Sequence, residues 1–154
     1  MTTSKNGNTL ISEAELRDLG KRAFHNLGLS DQDVEDVVDI LVMADLFGLS
    51  THGFSRIESY GARLKVGGIN PRPNITIEQV APAMIKVDGD NGVGPVVGMR
   101  TLEAAMESAS QFGIAVAFAR GSNHFGPISP YSLIAADKGF ASIIGSNATT
   151  TIAP

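Results

Sequence analysis

Two closely spaced prolines, in Asn70-Pro71-Arg72-Pro73-Asn74, decide how this sequence can be laid out. Each lacks a backbone donor and pushes the residue before it away from the helical region, so no helix or central strand can run through the segment. It is a connector, and the hydrophobic pattern changes across it. The chain therefore reads as a helical amino-terminal segment, 1–70, followed by an α/β region, 71–154.

Before the connector the apolar period is helical. Ser12 with Glu15 has capping-box spacing, and Leu16, Leu19, Phe24 and Leu27 follow until Gly28 stops the run. Ser30 and Asp33 repeat the start signal ahead of Val34, Val37, Val38, Leu41 and Ala44, a second helix that ends by Gly48. A third is expected from about Ser55 to Val66, stopped by Gly67-Gly68.

After the connector the apolar runs shorten. Ile75 to Val80 and Ala83 to Val87 read as strands, with Asp88-Gly89-Asp90-Asn91-Gly92 as a turn of ordinary composition. Pro95 suits a helical first turn, and Val97, Leu102, Ala105, Met106 and Ala109 continue an amphipathic face to Gly113. Ile114 to Ala119, a continuous run of small apolar residues, predicts a strand buried on both faces. Ser129-Pro130 starts another helix, ended by Gly139, and Phe140 to Gly145 reads as a second buried strand. This alternation predicts an α/β fold: a helical segment, then a mixed sheet with flanking helices. The chain stops soon after that last strand, which is the expectation for a truncated or split chain.

Composition narrows the partners. At 154 residues and 43% hydrophobic the chain can build a core, and a formal charge of −4 without a basic block argues against nucleic acid. Without cysteine there is no disulfide framework and no thiolate zinc site. The start lacks the apolar core of a signal peptide, and no apolar run approaches the roughly 20 residues that span a bilayer. A cytoplasmic protein away from membranes is expected.

Two segments could carry chemistry. In Thr51-His52-Gly53-Phe54-Ser55-Arg56-Ile57-Glu58-Ser59-Tyr60, a helix starting near His52 would put His52, Arg56 and Tyr60 on one face at i, i+4 and i+8. An imidazole, a guanidinium fork and a phenol could hold a carboxylate beside a proton-transfer group. On spacing alone, a solvated or interfacial stripe is the commoner meaning of such a pattern, and Gly48 and Gly53 interrupt the helix. The second segment, Gly121-Ser122-Asn123-His124-Phe125-Gly126-Pro127, leaves the carboxyl end of a strand, where α/β proteins place ligands. His124 is the better catalytic candidate, with Ser122 and Asn123 able to orient its ring or a ligand amide; a turn bearing a surface histidine is the alternative.

A third stretch, Gly92-Val93-Gly94-Pro95-Val96-Val97-Gly98, imitates a dinucleotide fingerprint and fails it. Val97 stands where the pattern needs glycine or alanine, Pro95 lies inside, and no acid follows at the ribose position. It reads instead as a glycine turn into a helix. His25, beside Phe24 in the first helix, reads as structural or exposed. No carboxylate pair, His-x-x-x-His or activated-serine signature is present, so hydrolase and metal chemistry have no support.

The two histidine segments, in this order and about seventy residues apart, resemble the malate/L-lactate dehydrogenase family of non-Rossmann NAD(P)-dependent oxidoreductases. The likeness runs through Ala44-Asp45 to Ser50, His52-Gly53, Arg56, Tyr60, Gly67-Gly68-Ile69-Asn70-Pro71, Asp88-Gly89, Gly92, Gly94 and Ser122-Asn123-His124-Phe125-Gly126, and on to Pro154. It implies interconversion of a small 2-oxo and 2-hydroxy acid, or reduction of a cyclic imino acid in some branches, with NAD or NADP. It also implies the family's own α/β fold, usually dimeric, of which this chain is the amino-terminal half.

Carried over by position, His124 is the proton donor and acceptor, Arg56 grips the substrate carboxylate, and His52 and Tyr60 complete the pocket. Ser146, Asn147, Ala148 and Thr149 correspond to the first contact with the nicotinamide side of the cofactor, although Ser-Asn-Ala-Thr departs from the family's usual residues there. The partners implied are the small acid substrate and either a second copy or a complementing carboxyl-terminal chain. A non-catalytic interaction protein that keeps the amino-terminal scaffold is the alternative function.

Overall fold

The computed structural model describes residues 2–3 and 9–147. A two-residue antiparallel pair, β1 (Thr2–Thr3) with β2 (Thr9–Leu10), precedes the first helix. Helix α1 (Glu13–Asn26) starts on a complete capping box: the Ser12 hydroxyl accepts the Glu15 N–H at 3.3 Å while the Glu15 carboxylate accepts the Ser12 N–H at 3.1 Å. Gly28, at φ 94°, turns the chain away.

Helix α2 (Asp31–Leu46) starts where the Ser30 hydroxyl accepts the Asp33 N–H at 3.2 Å. It ends on Gly48, at φ 75°, with the Leu49 N–H reaching back to the Ala44 carbonyl at 2.8 Å. It buries Val34, Val37, Val38, Ile40, Leu41, Val42 and Ala44. The middle of the helix is apolar on several sides and needs cover on each, and α1, α4 (Gly94–Phe112) and α5 (Ser129–Asp137) all contact it. Helix α3 (Arg56–Lys65) follows and closes on Gly67.

The proline connector crosses to a three-stranded sheet of order β3-β4-β5. β3 (Thr76–Ala81) runs antiparallel to β4 (Met84–Gly92), and β4 pairs in parallel with β5 (Val116–Ser122) across the α4 crossover. The sheet is mixed, as the alternation of elements requires. One core gathers Phe24, Val34, Val37, Val38, Leu41, Tyr60 and Leu64 with Val93 and Val96 at the start of α4. A smaller cluster, Ile85, Val87 and Val97, seats α4 on the sheet. Among the described residues no helix is long and apolar enough to cross a membrane.

Three sequence expectations are corrected. β5 is not buried on both faces: it is the sheet edge, and Val116 and Phe118 are 45% and 61% exposed because no described strand lies outside it. Phe140 to Gly145 forms no ladder, and Ile143 stands fully in solvent. The run was apolar enough for a strand, but a strand also needs a neighbour to receive its hydrogen bonds. Finally, Asp88 to Gly92 is no ordinary turn. β4 continues to Gly92, with Asp90 and Asn91 in left-handed conformation at φ 48° and 56° and a register shift in the pairing to β5.

Candidate active site

The carboxyl end of β5 delivers His124 to the face of α3. The buried Tyr60 hydroxyl lies 2.8 Å from His124 Nδ1 and 3.0 Å from the His124 carbonyl oxygen. A phenol has one proton to give. If Nδ1 carries the imidazole proton and donates to the Tyr60 oxygen, the phenol donates to the carbonyl and both contacts are satisfied. The opposite tautomer gains a longer approach from the Gly126 N–H, 3.4 Å, but sets two acceptor oxygens against each other at 3.0 Å. The first arrangement leaves the Nε2 lone pair without a partner among the described residues, which is what a general base requires. Burial raises the Tyr60 pKa, with Arg56 opposing, so the phenol stays protonated throughout the working range.

His52 and Arg56 stand on the same side. The His52 and His124 rings are 5.5 Å apart between centroids. Thr51 holds both side chains, its hydroxyl 2.9 Å from His52 Nδ1 and its carbonyl accepting from Arg56 Nε at 2.6 Å. The two terminal guanidinium nitrogens of Arg56 have no ion pair among the described residues. The His124 pKa is lowered by burial first, then by the Arg56 charge and by His52. Tyr60 and His52 thus meet at the His124 ring, and Thr51 ties Arg56 to the turn that bears His52.

The route differs from the expected helix face. His52 sits in a short 3-10 turn, Ser50–His52, and α3 begins only at Arg56, because Gly53 breaks the run. Only Arg56 and Tyr60 share a helix. The cluster is also open: a shallow depression of about 470 Å³ beside it, lined by Thr51, Ser55, Arg56, Glu58, Ser59 and Ala62, shares only Arg56 with it.

The Asn123 amide nitrogen is turned to the end of β4 rather than to the His124 ring. Its side-chain amide donates to Gly92 O at 2.8 Å and approaches Asn91 O and Oδ1 at 3.1 Å, tying the histidine loop to the left-handed end of β4. Asn70 holds the same end from the connector, donating to Asp90 Oδ2 at 3.0 Å.

The glycines of the false fingerprint are occupied by the protein itself. A methyl group on Gly94 would stand 2.1 Å from the His124 carbonyl oxygen, and one on Gly98 would stand 2.9 Å from the Tyr131 ring. The first turn of α4 thus packs against the histidine peptide, and this stretch cannot also cradle a diphosphate. Gly94→Ala is expected to cost about 2 kcal/mol by overpacking and to shift the His124 imidazole resonance, checked by thermal denaturation and proton NMR.

Of the expected cofactor contacts, Ser146 and Asn147 are exposed, and the Ser146 hydroxyl donates to the adjacent Asn147 carbonyl at 3.3 Å. Their hydroxyl and amide suit a carboxamide such as that of nicotinamide. Ala148 and Thr149 lie outside the described residues.

Fold and site set one imidazole beside a phenol, with a guanidinium on the neighbouring turn, on an α/β scaffold whose glycine turn into α4 packs against the protein itself. The chain belongs to the malate/L-lactate dehydrogenase family, whose sequence model matches residues 11–154. It is 38% identical over 133 residues to a malate dehydrogenase of Pyrococcus horikoshii, covering 86% of this chain and 37% of that protein. It is likewise 38% identical to an L-sulfolactate dehydrogenase of Methanocaldococcus jannaschii, covering 82% and 37%. The solved malate dehydrogenase structure from Pyrococcus horikoshii superposes with a TM-score of 0.84 at 35% identity, over 90% of this chain and 40% of that one. The chain thus spans about two fifths of the length of these relatives.

Two residues that hold the site escaped the sequence reading of its chemistry, although both lie within the quoted resemblance. Gly94 was one glycine among several. Asp45 carried a signal, a carboxylate in the last turn of a helix, where the dipole disfavours it.

Proposed function

We propose that this chain supplies the acid–base and carboxylate-binding part of an NAD(P)-dependent oxidoreductase acting on a small 2-hydroxy acid and its 2-oxo partner. The observation that carries the reading is His124, fixed through Nδ1 by Tyr60, with Nε2 uncommitted and Arg56 close enough to act on its charge. In the oxidative direction Nε2 accepts the proton of the substrate hydroxyl as the hydride leaves the same carbon; in reduction the imidazolium returns it. Arg56 takes the carboxylate through its two free nitrogens, and His52 closes the pocket on the side facing His124. The nicotinamide, when bound, supplies hydride acceptance and donation, with Ser146 to Thr149 as its first contact. Malate and sulfolactate, named by the relatives, are both 2-hydroxy acids bearing a second acidic group; a cyclic imino acid is the alternative substrate.

Hydride transfer needs donor and acceptor carbons held about 3 to 3.5 Å apart, and the open cluster encloses neither. The exposed edge and apolar face of β5 suit completion by further chain, either a second copy or a complementing carboxyl-terminal polypeptide. The isolated chain is therefore expected to give no measurable turnover with NADH or NADPH and oxaloacetate, pyruvate or a cyclic imine. Addition of a carboxyl-terminal polypeptide from a full-length relative should produce it. Robust turnover by the isolated chain would overturn the complementation reading, and none in any complemented mixture would overturn the enzymatic one.

A further inference from the structure

Asp45 lies in the last turn of α2, where the partial negative charge of the helix end opposes a carboxylate. Two contacts account for it. One carboxylate oxygen accepts the Phe54 N–H at 2.7 Å, nine positions on. The same carboxylate fills the space over Gly53, where a methyl group would stand 2.2 to 2.6 Å from its atoms. Ser55, in the capping position of α3, makes no side-chain bond to the helix. Within the entering chain the Ser55 hydroxyl donates back to the Ser50 carbonyl at 2.6 Å, and Asp45 ties that turn to α2.

Only Gly53 permits so close an approach, and it stands directly after His52 and three residues before Arg56. Thr51 ties the His52 ring and the Arg56 guanidinium to one turn, so a displacement of that turn carries both together. We propose that Asp45 is a positioning residue: through Gly53 and Phe54 it fixes the turn that sets His52 and the Arg56 guanidinium beside His124. The catalytic importance of that placement rests on the proposed assignment of His52 and Arg56 to the substrate; the geometry does not.

The test uses the three histidines of the chain, His25, His52 and His124, whose imidazole proton signals can be titrated by NMR. His124 faces Tyr60, His52, Arg56 and the Gly126 N–H. In Asp45→Ala the turn is released, the His52 ring and the Arg56 guanidinium withdraw, and the His124 midpoint should rise toward the ordinary imidazole value of about 6.5. Loss of a negative charge acting directly on the ring would move the midpoint the other way, so the sign separates positioning from electrostatics. Asp45→Asn loses the same charge but keeps an oxygen for the Phe54 N–H, and should leave the midpoint where it stands in the parent. His25 should not move in either variant.

An unchanged or lowered His124 midpoint in folded Asp45→Ala overturns the proposal. Should that variant unfold, Gly53→Ala gives the same reading, because it keeps the charge and drives the carboxylate aside; no rise there is equally fatal. In the complemented enzyme, Asp45→Ala should raise KM about tenfold or more for a 2-hydroxy acid, with Asp45→Asn close to the parent. A raised midpoint with unchanged KM would establish the positioning and sink the assignment of His52 and Arg56 to the substrate.

Discussion

His124→Asn in the complemented enzyme is expected to lower kcat by about 10² to 10⁴-fold, the usual contribution of a positioned acid–base group, while KM changes little. Asparagine is the informative replacement because its amide can still donate toward the Tyr60 oxygen, so the loop stays seated and only proton transfer is lost. A loss of KM with kcat intact would instead place His124 among the binding groups. The parent should show a matching pH dependence. Burial, Arg56 and His52 all depress the His124 pKa, so the ring is neutral at neutral pH. Oxidation needs the neutral ring, and its rate should climb as pH rises through the depressed value and level off near neutrality. Reduction needs the imidazolium and should fall over the same interval.

Arg56→Met removes one of the depressing charges, so both limbs should move to higher pH and KM for the acid should rise. A bound carboxylate neutralises the same guanidinium, so in the parent the limb in kcat should lie above the limb in kcat/KM. A kcat/KM profile that Arg56→Met leaves in place would mean that the guanidinium does not act on the ring.

What the sequence displayed and what it hid divide along a physical line. Helix ends were legible because their signals are local: Ser12 with Glu15, Ser30, Pro95, Gly113 and Gly139 each satisfy or release backbone groups within one turn. The strand Ile114 to Ala119 was legible as a strand, but its burial was not, since burial depends on what lies beside it. Phe140 to Gly145 failed for the same reason, having the composition of a strand and no ladder partner.

For the site, the residue types and the strand-end loop pointed to His124, and the family resemblance joined it to Arg56 and Tyr60. The pairing of Tyr60 with His124 spans 64 positions and depends on how α3 meets the end of β5, which no local pattern encodes. Asn91 looked like a turn residue and is held left-handed by Asn123, 32 positions away. Polar residues with tertiary partners look like loop residues in sequence, and here they are what fixes the loops.

The same dependence on distant partners governs the largest stability effect expected. Arg100, on α4, donates to Asp36 at 2.7 Å and to Asp33 at 3.3 Å, both on α2. Asp36 is 5% exposed, with Gln32 as its other donor at 3.2 Å. Arg100→Met keeps most of the apolar stem and deletes the charge, stranding a buried carboxylate beside Asp33 and Glu103. The expected cost is about 3 kcal/mol at neutral pH, measured by urea denaturation.

The deficit should depend on pH, because Asp36 titrates in the fold. Burial already raises the folded Asp36 pKa, with Arg100 and Gln32 opposing. Its ionisation therefore costs stability once pH rises above the unfolded value, and that cost is recovered as pH falls back through the folded one. Removing Arg100 raises the folded value further. The deficit of Arg100→Met relative to the parent should thus be greatest near neutrality and shrink toward the ordinary aspartate value of about 4, as the worth of a carboxylate ion pair does on acidification. Asp36→Asn in the Arg100→Met background removes the stranded charge and should recover much of the loss. A deficit constant with pH, or no recovery in the double variant, would mean that Arg100 stabilises the packing of α4 on α2 through its stem rather than through Asp36.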